Sequence, residues 1–385
     1  MSLRSDRSIY LDEDLLAMRA QAELFIEKEV VPNGDQWELD GQTPRDVILK
    51  LGALGFLGLR HPEKYGGLAK GALYSAVFAE ALGASTFGGF DMTILVHTDM
   101  ASPHLINSAN DEQLERFMSR IVSGECLTAV AVTEPVAGSD VAGIKTTARR
   151  DGDHYILNGS KIFITNGVTA DLLVVAARTS PDEPRALSMF LVEAGTPGLS
   201  VSRKLDKTGW RSSDTAELAF QDCRVAATNL LGTEHRGFYE VMKNFQNERL
   251  VLSGNCVGAA QKGLDLTYAW TQNRIAFGKP LYEKQVIRQR LAMQQARTDA
   301  ARELLYHCAW LMDQGVDATR QVSELKALAG ELVNRVLYDC VQFHGGQGFM
   351  RETPVERMSR DARVMPIGGG ATEVMLDEVA KRSKI

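Results

Sequence analysis

The stretch CLTAVAVTEP, residues 126–135, marks the point at which the character of the chain changes. Over about the first 125 residues, apolar side chains recur with the period of an α-helix, and runs of β-branched residues are sparse. Within the stretch, apolar and small residues follow one another without that period and end at a proline, as in a buried strand. The sequence therefore predicts that helices give way to strands at Cys126.

Strand patterns continue for about a hundred residues beyond this point, to about Val225. One of them, HYILNGSKIFITNG (154–167), contains an Asn158-Gly159 dipeptide, which predicts a hairpin turn between two β-prone runs. From Gly237 onward the helical period returns in long segments. We expect these helices at about 238–273, 284–314, 321–345, 353–364 and 371–382.

Helices that are segregated from strands favour an α+β fold over the alternating βαβ units of a nucleotide-binding sheet. A chain of 385 residues is long enough for several subdomains with a sizeable core. We expect an N-terminal helical domain (1–125), a central β-domain built as a small barrel or sandwich (126–232) and a C-terminal four-helix bundle (233–385).

The composition argues against several classes of protein. Apolar residues make up 44% of the chain and charged residues 24%, as in ordinary soluble proteins. The net charge of −6 disfavours nucleic acid as a partner, and no apolar stretch approaches the ~18 residues of a membrane span. The N-terminus lacks the apolar core of a secretory signal, and the five cysteines have no disulfide or metal spacing. We expect a cytoplasmic protein, or a mitochondrial-matrix one if eukaryotic, without a metal site.

One carboxylate stands out in NFQNERLVLSGNCVGAAQ (244–261). On a helix, Glu248 falls on the apolar stripe formed by Val241, Phe245, Leu252 and Cys256. Burying a carboxylate is costly unless it is paired or lines a cavity. One interpretation is a residue at the edge of the stripe that pairs with Arg249 or a more distant base. The other is a general base, because apolar surroundings raise a carboxyl pKa toward neutrality.

Several glycine-rich stretches leave alternatives open. PIGGGATEV (366–374) could hold an anion at a helix N-terminus or act as a joint, but it lacks the Lys-Ser/Thr of a nucleotide-triphosphate loop. AVTEPVAGSD (131–140) could bind a ring edge or a phosphate, or be only a turn. Arg274 could clamp a phosphate or lie solvated on the surface, and QFHGGQGF (342–349) places glycines after a helix.

In this order and spacing, the motifs resemble those of the acyl-CoA dehydrogenase family over essentially the whole chain. The resemblance is carried by AVTEPVAGSD, LNGSKIFITNG, NRIAFGKPL with Gln285, QFHGGQGF and PVERMSRDARVMPIGGGATEV. It implies an FAD enzyme that removes the α-proton of an acyl-CoA thioester, passes the β-hydrogen as hydride to flavin N5 and forms trans-2-enoyl-CoA in fatty-acid or branched-chain catabolism. It also implies an electron-transfer flavoprotein as acceptor and a homotetramer.

The resemblance further implies which residues bind FAD. Thr133 would contact the flavin ring edge, Ser139 would lie near both the pyrophosphate and the acyl-CoA, and Phe163 stands where many relatives have tryptophan. The matching cofactor positions are Val130, Val132, Thr133, Ser139, Phe163, Ile164, Thr165, Thr372 and Glu373. In the family an arginine motif reaches the FAD of a neighbouring subunit, and the residues that match it are Arg274, Phe277, Gln285, Gln342, Gly345 and Gly346.

The catalytic base follows from a second comparison with the family. Many members carry it as a glutamate at the position matched here by Gly369. A minority, including isovaleryl-CoA and long-chain acyl-CoA dehydrogenases, carry it on the helix that opens the C-terminal domain, where the match is Glu248. The resemblance and the apolar stripe therefore both indicate Glu248. The matching substrate positions are Ser139, Gln246, Asn247, Arg249 and Gly369, whose N–H would help to hold the thioester carbonyl oxygen.

The sequence departs from the family pattern at one cofactor position, and two other functions compete with the one that the resemblance implies. Ala371 stands where many relatives have a threonine that hydrogen-bonds the cofactor, so that contact is not expected here. The rival functions are a flavin-dependent oxidase or monooxygenase on the same fold, and a non-catalytic module that binds acyl-CoA or flavin. The length and branching of the acyl chain depend on the depth of a cavity, to which residues 80–100 are expected to contribute.

Overall fold

The structure is a computed structural model that describes residues 4, 7–183 and 185–383. Its N-terminal part is helical, as the periodicity predicts. The helices are α1 (Glu13–Phe25), α2 (Gly34–Asp40), α3 (Arg45–Ala53), α4 (Ala72–Gly83), α5 (Gly88–Leu95), α6 (Ser102–Ser108) and α7 (Asp111–Ser123). Two π-helical turns were not predicted: Ile26–Val30 follows α1, and Val96–Ala101 joins α5 to α6. A π-helical turn within an α-helix frequently marks a functional site.

The central part forms one mixed sheet. Its strands are β1 (Thr128–Ala131), β2 (Thr147–Asp151), β3 (His154–Thr165), β4 (Leu172–Arg178), β5 (Leu187–Glu193), β6 (Leu199–Lys204), β7 (Thr215–Ala226) and β8 (Leu230–Leu231). The strand order is β6-β7-β3-β2-β4-β5-β8, and β1 pairs in parallel with β4. Because β4 extends to Arg178, beyond the residues that pair with β1, the loop that follows β1 leaves the sheet beside the last residues of β4.

The predicted hairpin turn at Asn158-Gly159 is wrong. Both residues lie inside β3, which runs unbroken past them with a bulge against β7. A Cβ at Gly159 would lie 2.4 Å from the Thr146 hydroxyl oxygen, so the glycine is required by a close approach inside the sheet. The turn of this hairpin falls instead at Gly152, whose φ is 61°.

The C-terminal part is helical again. It contains α8 (Gly237–Asn273), a short hairpin of β9 (Ile275–Ala276) and β10 (Lys279–Pro280), α9 (Gln285–Asp313), α10 (Thr319–His344), α11 (Pro354–Ala362) and α12 (Thr372–Ser383). The α+β fold with helices on both sides of a β-domain is confirmed. Within the described residues, no helix is both long and apolar enough to cross a membrane.

The long helix α8 holds the N-terminal and C-terminal helices together. It crosses α4 so closely that a Cβ at Gly258 would lie 1.9 Å from the Glu80 carbonyl oxygen. Apolar side chains from α4, α5, α8 and α10 share one buried core, and Val241 at the start of α8 packs in a second core with α7 and β4. Residues near the first third of α8 therefore lie where all three parts of the chain meet.

A buried polar network crosses between α4 and α9. The Arg302 guanidinium donates to the Glu80 carboxylate over 2.7 Å from Nε and to the Gln261 side-chain oxygen over 2.7 Å from Nη2. The Tyr306 hydroxyl donates to the second carboxylate oxygen of Glu80. Both charged side chains of the pair are almost completely buried, and Arg302 also pairs with Asp299, so removing Arg302 takes away the cation to which the Glu80 carboxylate is paired.

We expect Arg302→Met to destabilise the protein strongly, because it leaves the Glu80 carboxylate buried without its cation. Breaking a buried pair in this way costs about 3–5 kcal/mol of unfolding free energy, measurable by urea denaturation. The matched control is Arg320→Met, which removes an exposed partner of Glu324 on α10 and should cost no more than about 0.5 kcal/mol. Equal losses in the two variants would contradict a stabilising role for the network.

Candidate active site

Glu248 lies on α8, one turn before Leu252, and faces the meeting point of the domains. Its side chain is half-buried, and Asn244 Nδ2 donates to its Oε1 over 3.1 Å. Burial raises the pKa of the Glu248 carboxyl to about 7, although the Asn244 hydrogen bond and the charge of Arg249 both act to lower it. A carboxyl with a pKa near 7 has the proton affinity that a general base needs at physiological pH.

The neighbouring Arg249 is buried and stacks its guanidinium 5.2 Å from the ring centroid of Phe245. Burial lowers its pKa, against the charges of Glu248 and Glu378. Its Nε lies near the glycine-rich turn, since a Cβ at Gly370 would be 3.5 Å from it. The side chain therefore lies between α8 and that turn.

The turn Gly368–Gly370 lies directly over the stripe of α8 that carries Glu248. Gly369 has a φ of 63°, and a Cβ there would lie 2.2 Å from Leu252 Cδ1. A side chain at the position matched to the base of many relatives would therefore need both a strained backbone and a displaced Leu252 side chain. No described residue accepts a hydrogen bond from the Gly369 N–H, which leaves this donor available to a ligand.

One face of α10 holds the glycine-rich turn in place. Lys326 is buried, and its Nζ donates to the carbonyl oxygen of Met365 over 2.8 Å and to that of Gly370. One turn later Gly330 lets α10 approach, since a Cβ there would be 3.2 Å from the Met365 carbonyl oxygen. After another turn Asn334 donates to the carbonyl oxygen of Ala362 over 2.8 Å. These residues, at i, i+4 and i+8, anchor the backbone on both sides of the turn.

The β-domain contributes the loop after β1. Thr133 accepts a backbone hydrogen bond from Ile162 over 3.0 Å, which ties this loop to β3. The buried Lys161 donates to the Val132 carbonyl oxygen over 2.9 Å and to the Glu134 carboxylate over 2.8 Å. Burial lowers the pKa of Lys161 to about 8, against the charge of Glu134. The ion pair between Lys161 and Glu134 therefore holds the loop after β1 in place from its buried side, next to the positions matched to cofactor contacts.

Phe163 presents an exposed aromatic ring beside this loop. It lies at a bulge of β3, its φ is 62°, and 66% of its surface is accessible. Three hydroxyl groups in the loop after β1 and at the end of β3 have no hydrogen-bond partner among the described residues: those of Thr133, Ser139 and Thr165. An exposed ring, with free hydroxyl groups on the same strand and the adjoining loop, suits a flat group that is apolar on its face and polar on its rim, as an isoalloxazine is. Val130 and Ile164 are the core-facing neighbours that support this surface.

The remaining residues matched to the cofactor lie in two other places. Thr372 donates from its backbone to the Pro366 carbonyl oxygen over 3.0 Å, and the next residue, Glu373, is exposed at the start of α12. The arginine-motif group is exposed at the far end of α8 and α10; its members are Arg274, Phe277, Gln285, Gln342, Gly345 and Gly346. Arg274 lies about 40 Å along α8 from Glu248 at the usual rise per residue. The structure does not bring this group to Glu248 within one chain.

The predicted substrate residues are also divided. Ser139 is exposed in the loop after β1, whereas Arg249 follows Glu248 in α8 and Gly369 packs on Leu252, one turn further along the same helix. The Gln246 amide donates to Thr319 at the start of α10, on another side of α8. Asn247 donates to the Asp99 carbonyl oxygen over 2.9 Å and accepts from Arg60.

Comparison with known proteins agrees with this geometry. Three family profiles match in succession: the N-terminal domain of acyl-CoA dehydrogenase at residues 12–125, the middle domain at 129–223 and the C-terminal domain at 235–384. The chain belongs to the acyl-CoA dehydrogenase family. It is 38% identical to the long-chain specific acyl-CoA dehydrogenase of Sus scrofa over 94% of this chain and 85% of that protein. It is 35% identical to the isovaleryl-CoA dehydrogenase of Pongo abelii, over 94% and 87%.

A solved structure of the family extends the comparison to the cofactor. Glutaryl-CoA dehydrogenase of Mycobacterium smegmatis, in complex with FADH2, superimposes with a TM-score of 0.93 at 27% identity, over 98% of this chain and 96% of that one. This acyl-CoA dehydrogenase is therefore an oxidoreductase that acts on an acyl-CoA and uses FAD, and the surface around Phe163 fits that cofactor.

Sequence analysis missed the polar residues that support the site. The sequence analysis did not single out Asn244, Lys161 or Lys326, and all three are buried in the structure. A signal was present in each case, because a lysine or an asparagine on a buried stripe needs a partner. The sequence did not indicate which backbone groups those partners would be.

We expect Gly369→Ala to destabilise the protein by about 2 kcal/mol, because it adds both backbone strain and the collision with Leu252. The matched control is Gly315→Ala: its φ is 70°, but a Cβ there meets nothing within 4 Å. The control should lose only about 1 kcal/mol, in the same urea titration. If Leu252→Ala in the Gly369→Ala background recovered none of the extra loss, the collision would not be its cause.

Proposed function

We propose that Glu248 removes the α-proton of an acyl-CoA thioester in an α,β-dehydrogenation that yields trans-2-enoyl-CoA. The observation that carries this proposal is a half-buried carboxyl with a raised pKa on α8, one turn before the Leu252 side chain on which a glycine turn with a free N–H packs. Membership of the family supports the reaction class, and the relatives named above act on long-chain and branched acyl-CoA. The length of the acyl chain is left open.

The α-proton is too weakly acidic for a carboxylate in water, so the site must stabilise the charge that develops on the thioester oxygen. We assign this to the Gly369 N–H, which is held by Lys326 through the neighbouring Gly370 carbonyl. Glu248 accepts the proton from the other side, with Arg249 close by to balance the charge. Bound FAD supplies the hydride acceptor for the β-hydrogen. The residues that hold it in this proposal are Val132, Thr133, Ser139, Phe163 and Thr165.

We expect Glu248→Gln to bind FAD and acyl-CoA but to lose substrate-dependent bleaching of the flavin absorbance by a factor of about a thousand or more. The measurement is anaerobic stopped-flow absorbance with a panel of acyl-CoA thioesters from isovaleryl-CoA to palmitoyl-CoA. The matched control is Glu240→Gln, two turns earlier on α8, where the carboxylate accepts from Ser108 and should not affect bleaching.

Bleaching by Glu248→Gln at the wild-type rate would remove Glu248 from its role. The same instrument separates the possible electron acceptors. We propose an electron-transfer flavoprotein as acceptor, so substrate-reduced enzyme should be reoxidised faster by that protein than by oxygen while product is bound. Faster reoxidation by oxygen would favour an oxidase.

We also propose a homotetramer in which the arginine-motif group serves the cofactor of a neighbouring subunit. Its distance from Glu248 along α8 and its exposure support this, since 96% of the Phe277 surface is accessible. We expect Phe277→Ser to lower FAD content and to shift the assembly toward smaller species in analytical ultracentrifugation. Exposed Phe349→Ser is the control, because it lies outside the matched group. A wild-type monomer with full FAD content would contradict the proposal.

A further inference from the structure

Asn244 is the side chain through which the N-terminal domain reaches Glu248. It is buried on α8, one turn before the glutamate. Its Nδ2 lies 3.1 Å from Glu248 Oε1, 3.0 Å from the Asp99 carbonyl oxygen and 3.2 Å from the Met100 carbonyl oxygen. An amide nitrogen carries two hydrogens, so both are used and one is shared. Among the described residues, no other side chain donates a hydrogen bond to Glu248.

The two carbonyl groups belong to the π-helical turn Val96–Ala101, which is buried throughout. A π-helical turn widens the helix and changes the directions of its carbonyl groups relative to an α-helix. Here Asp99 presents its carbonyl oxygen to two asparagines of α8, Asn244 over 3.0 Å and Asn247 over 2.9 Å. The turn therefore determines where the Asn244 amide lies, and the amide in turn meets the carboxylate.

We propose that Asn244 is a positioning residue that transmits the placement of the π-helical turn to the Glu248 carboxylate and holds that carboxylate in one orientation. The inference rests on the proposed role of Glu248 as the base. It adds a residue to that site and assigns a purpose to the irregular turn of the N-terminal domain. A donated hydrogen bond also favours the ionised form of the carboxyl, which is the form that accepts a proton.

The charged groups around Glu248 come from several elements, and their contacts differ. Arg249 on α8 itself favours the ionised carboxylate. Asp99 of the π-helical turn and Arg60 are both hydrogen-bonded to Asn247, whereas Lys326 of α10 and Glu378 of α12 act on Arg249. The turn Gly368–Gly370 carries no ionisable side chain. Replacing Asn244 leaves all of these groups in the chain.

The test is the pH dependence of kcat/KM for Asn244→Leu in the FAD-loaded enzyme. The substrate is whichever of isovaleryl-CoA and palmitoyl-CoA bleaches the wild-type flavin faster. In the wild type the rate should rise as Glu248 loses its proton near pH 7. In the variant we expect the midpoint of this rise to move up by about one pH unit. We expect the plateau of kcat at high pH to fall about tenfold with little change in KM, since the base is less well oriented.

The matched control is Asn255→Leu, which removes the same kind of buried amide donor from α8; that amide donates to the Asp91 carboxylate of α5 over 2.9 Å and does not contact Glu248. It should lower the melting temperature comparably and leave the pH midpoint where it is in the wild type. If Asn244→Leu does not fold, Asn244→Ser offers a smaller side chain that cannot reach both partners. It should shift the midpoint in the same direction. An unshifted midpoint in the folded variant, or an equal shift in Asn255→Leu, would overturn the proposal.

A second measurement separates this proposal from the proposed function. Difference infrared titration of each FAD-loaded protein against its Glu248→Gln counterpart reports the carboxyl of Glu248 without turnover. We expect its midpoint to rise by about one pH unit in the Asn244→Leu background. If Glu248→Gln stays active, the role of the base fails, while the infrared midpoint still tests the coupling to Asn244. If Glu248→Gln is inactive and the infrared midpoint does not move, only the coupling fails.

Discussion

The burial of one carboxylate on α8 is the constraint on which the rest of this site depends. Glu248 lies on a stripe that is otherwise apolar, and a charge there must be balanced or solvated. Among the described residues, two groups act to keep it ionised: the Asn244 amide and the Arg249 guanidinium. Both are themselves buried, so each needs further partners in turn. The hydrogen-bond network of the region follows from meeting those needs one after another.

The glycine turn and α8 are complementary in shape. Leu252 occupies the space that a side chain at position 369 would need, and the left-handed backbone of Gly369 lets the turn lie flat against it. A side chain on the turn at position 369 would have to displace Leu252, whereas Glu248 lies one turn earlier on the same helix.

Three buried polar side chains connect the site to three different parts of the fold. Lys161 fixes the loop after β1, Lys326 fixes the glycine turn, and Asn244 links the π-helical turn to the base. Each donates to at least one backbone carbonyl group, which positions the main chain. A lysine or an asparagine used in this way keeps the surface that faces the ligand free for the glycine N–H, the hydroxyl groups and the carboxylate.

The sequence alone determined the order of helices and strands, the apolar stripe of α8 and the anomalous place of Glu248 on it, because these depend on local periodicity. The sequence analysis misplaced the hairpin turn at Asn158-Gly159, since the glycine there is required by the close approach of Thr146 across the sheet and not by a turn. Only the tertiary structure decided that Leu252 packs against position 369, and that the Asn244 amide lies against the carbonyl groups of Asp99 and Met100. Such contacts join residues that are far apart in the chain, and no local pattern encodes which distant backbone group a buried donor will meet.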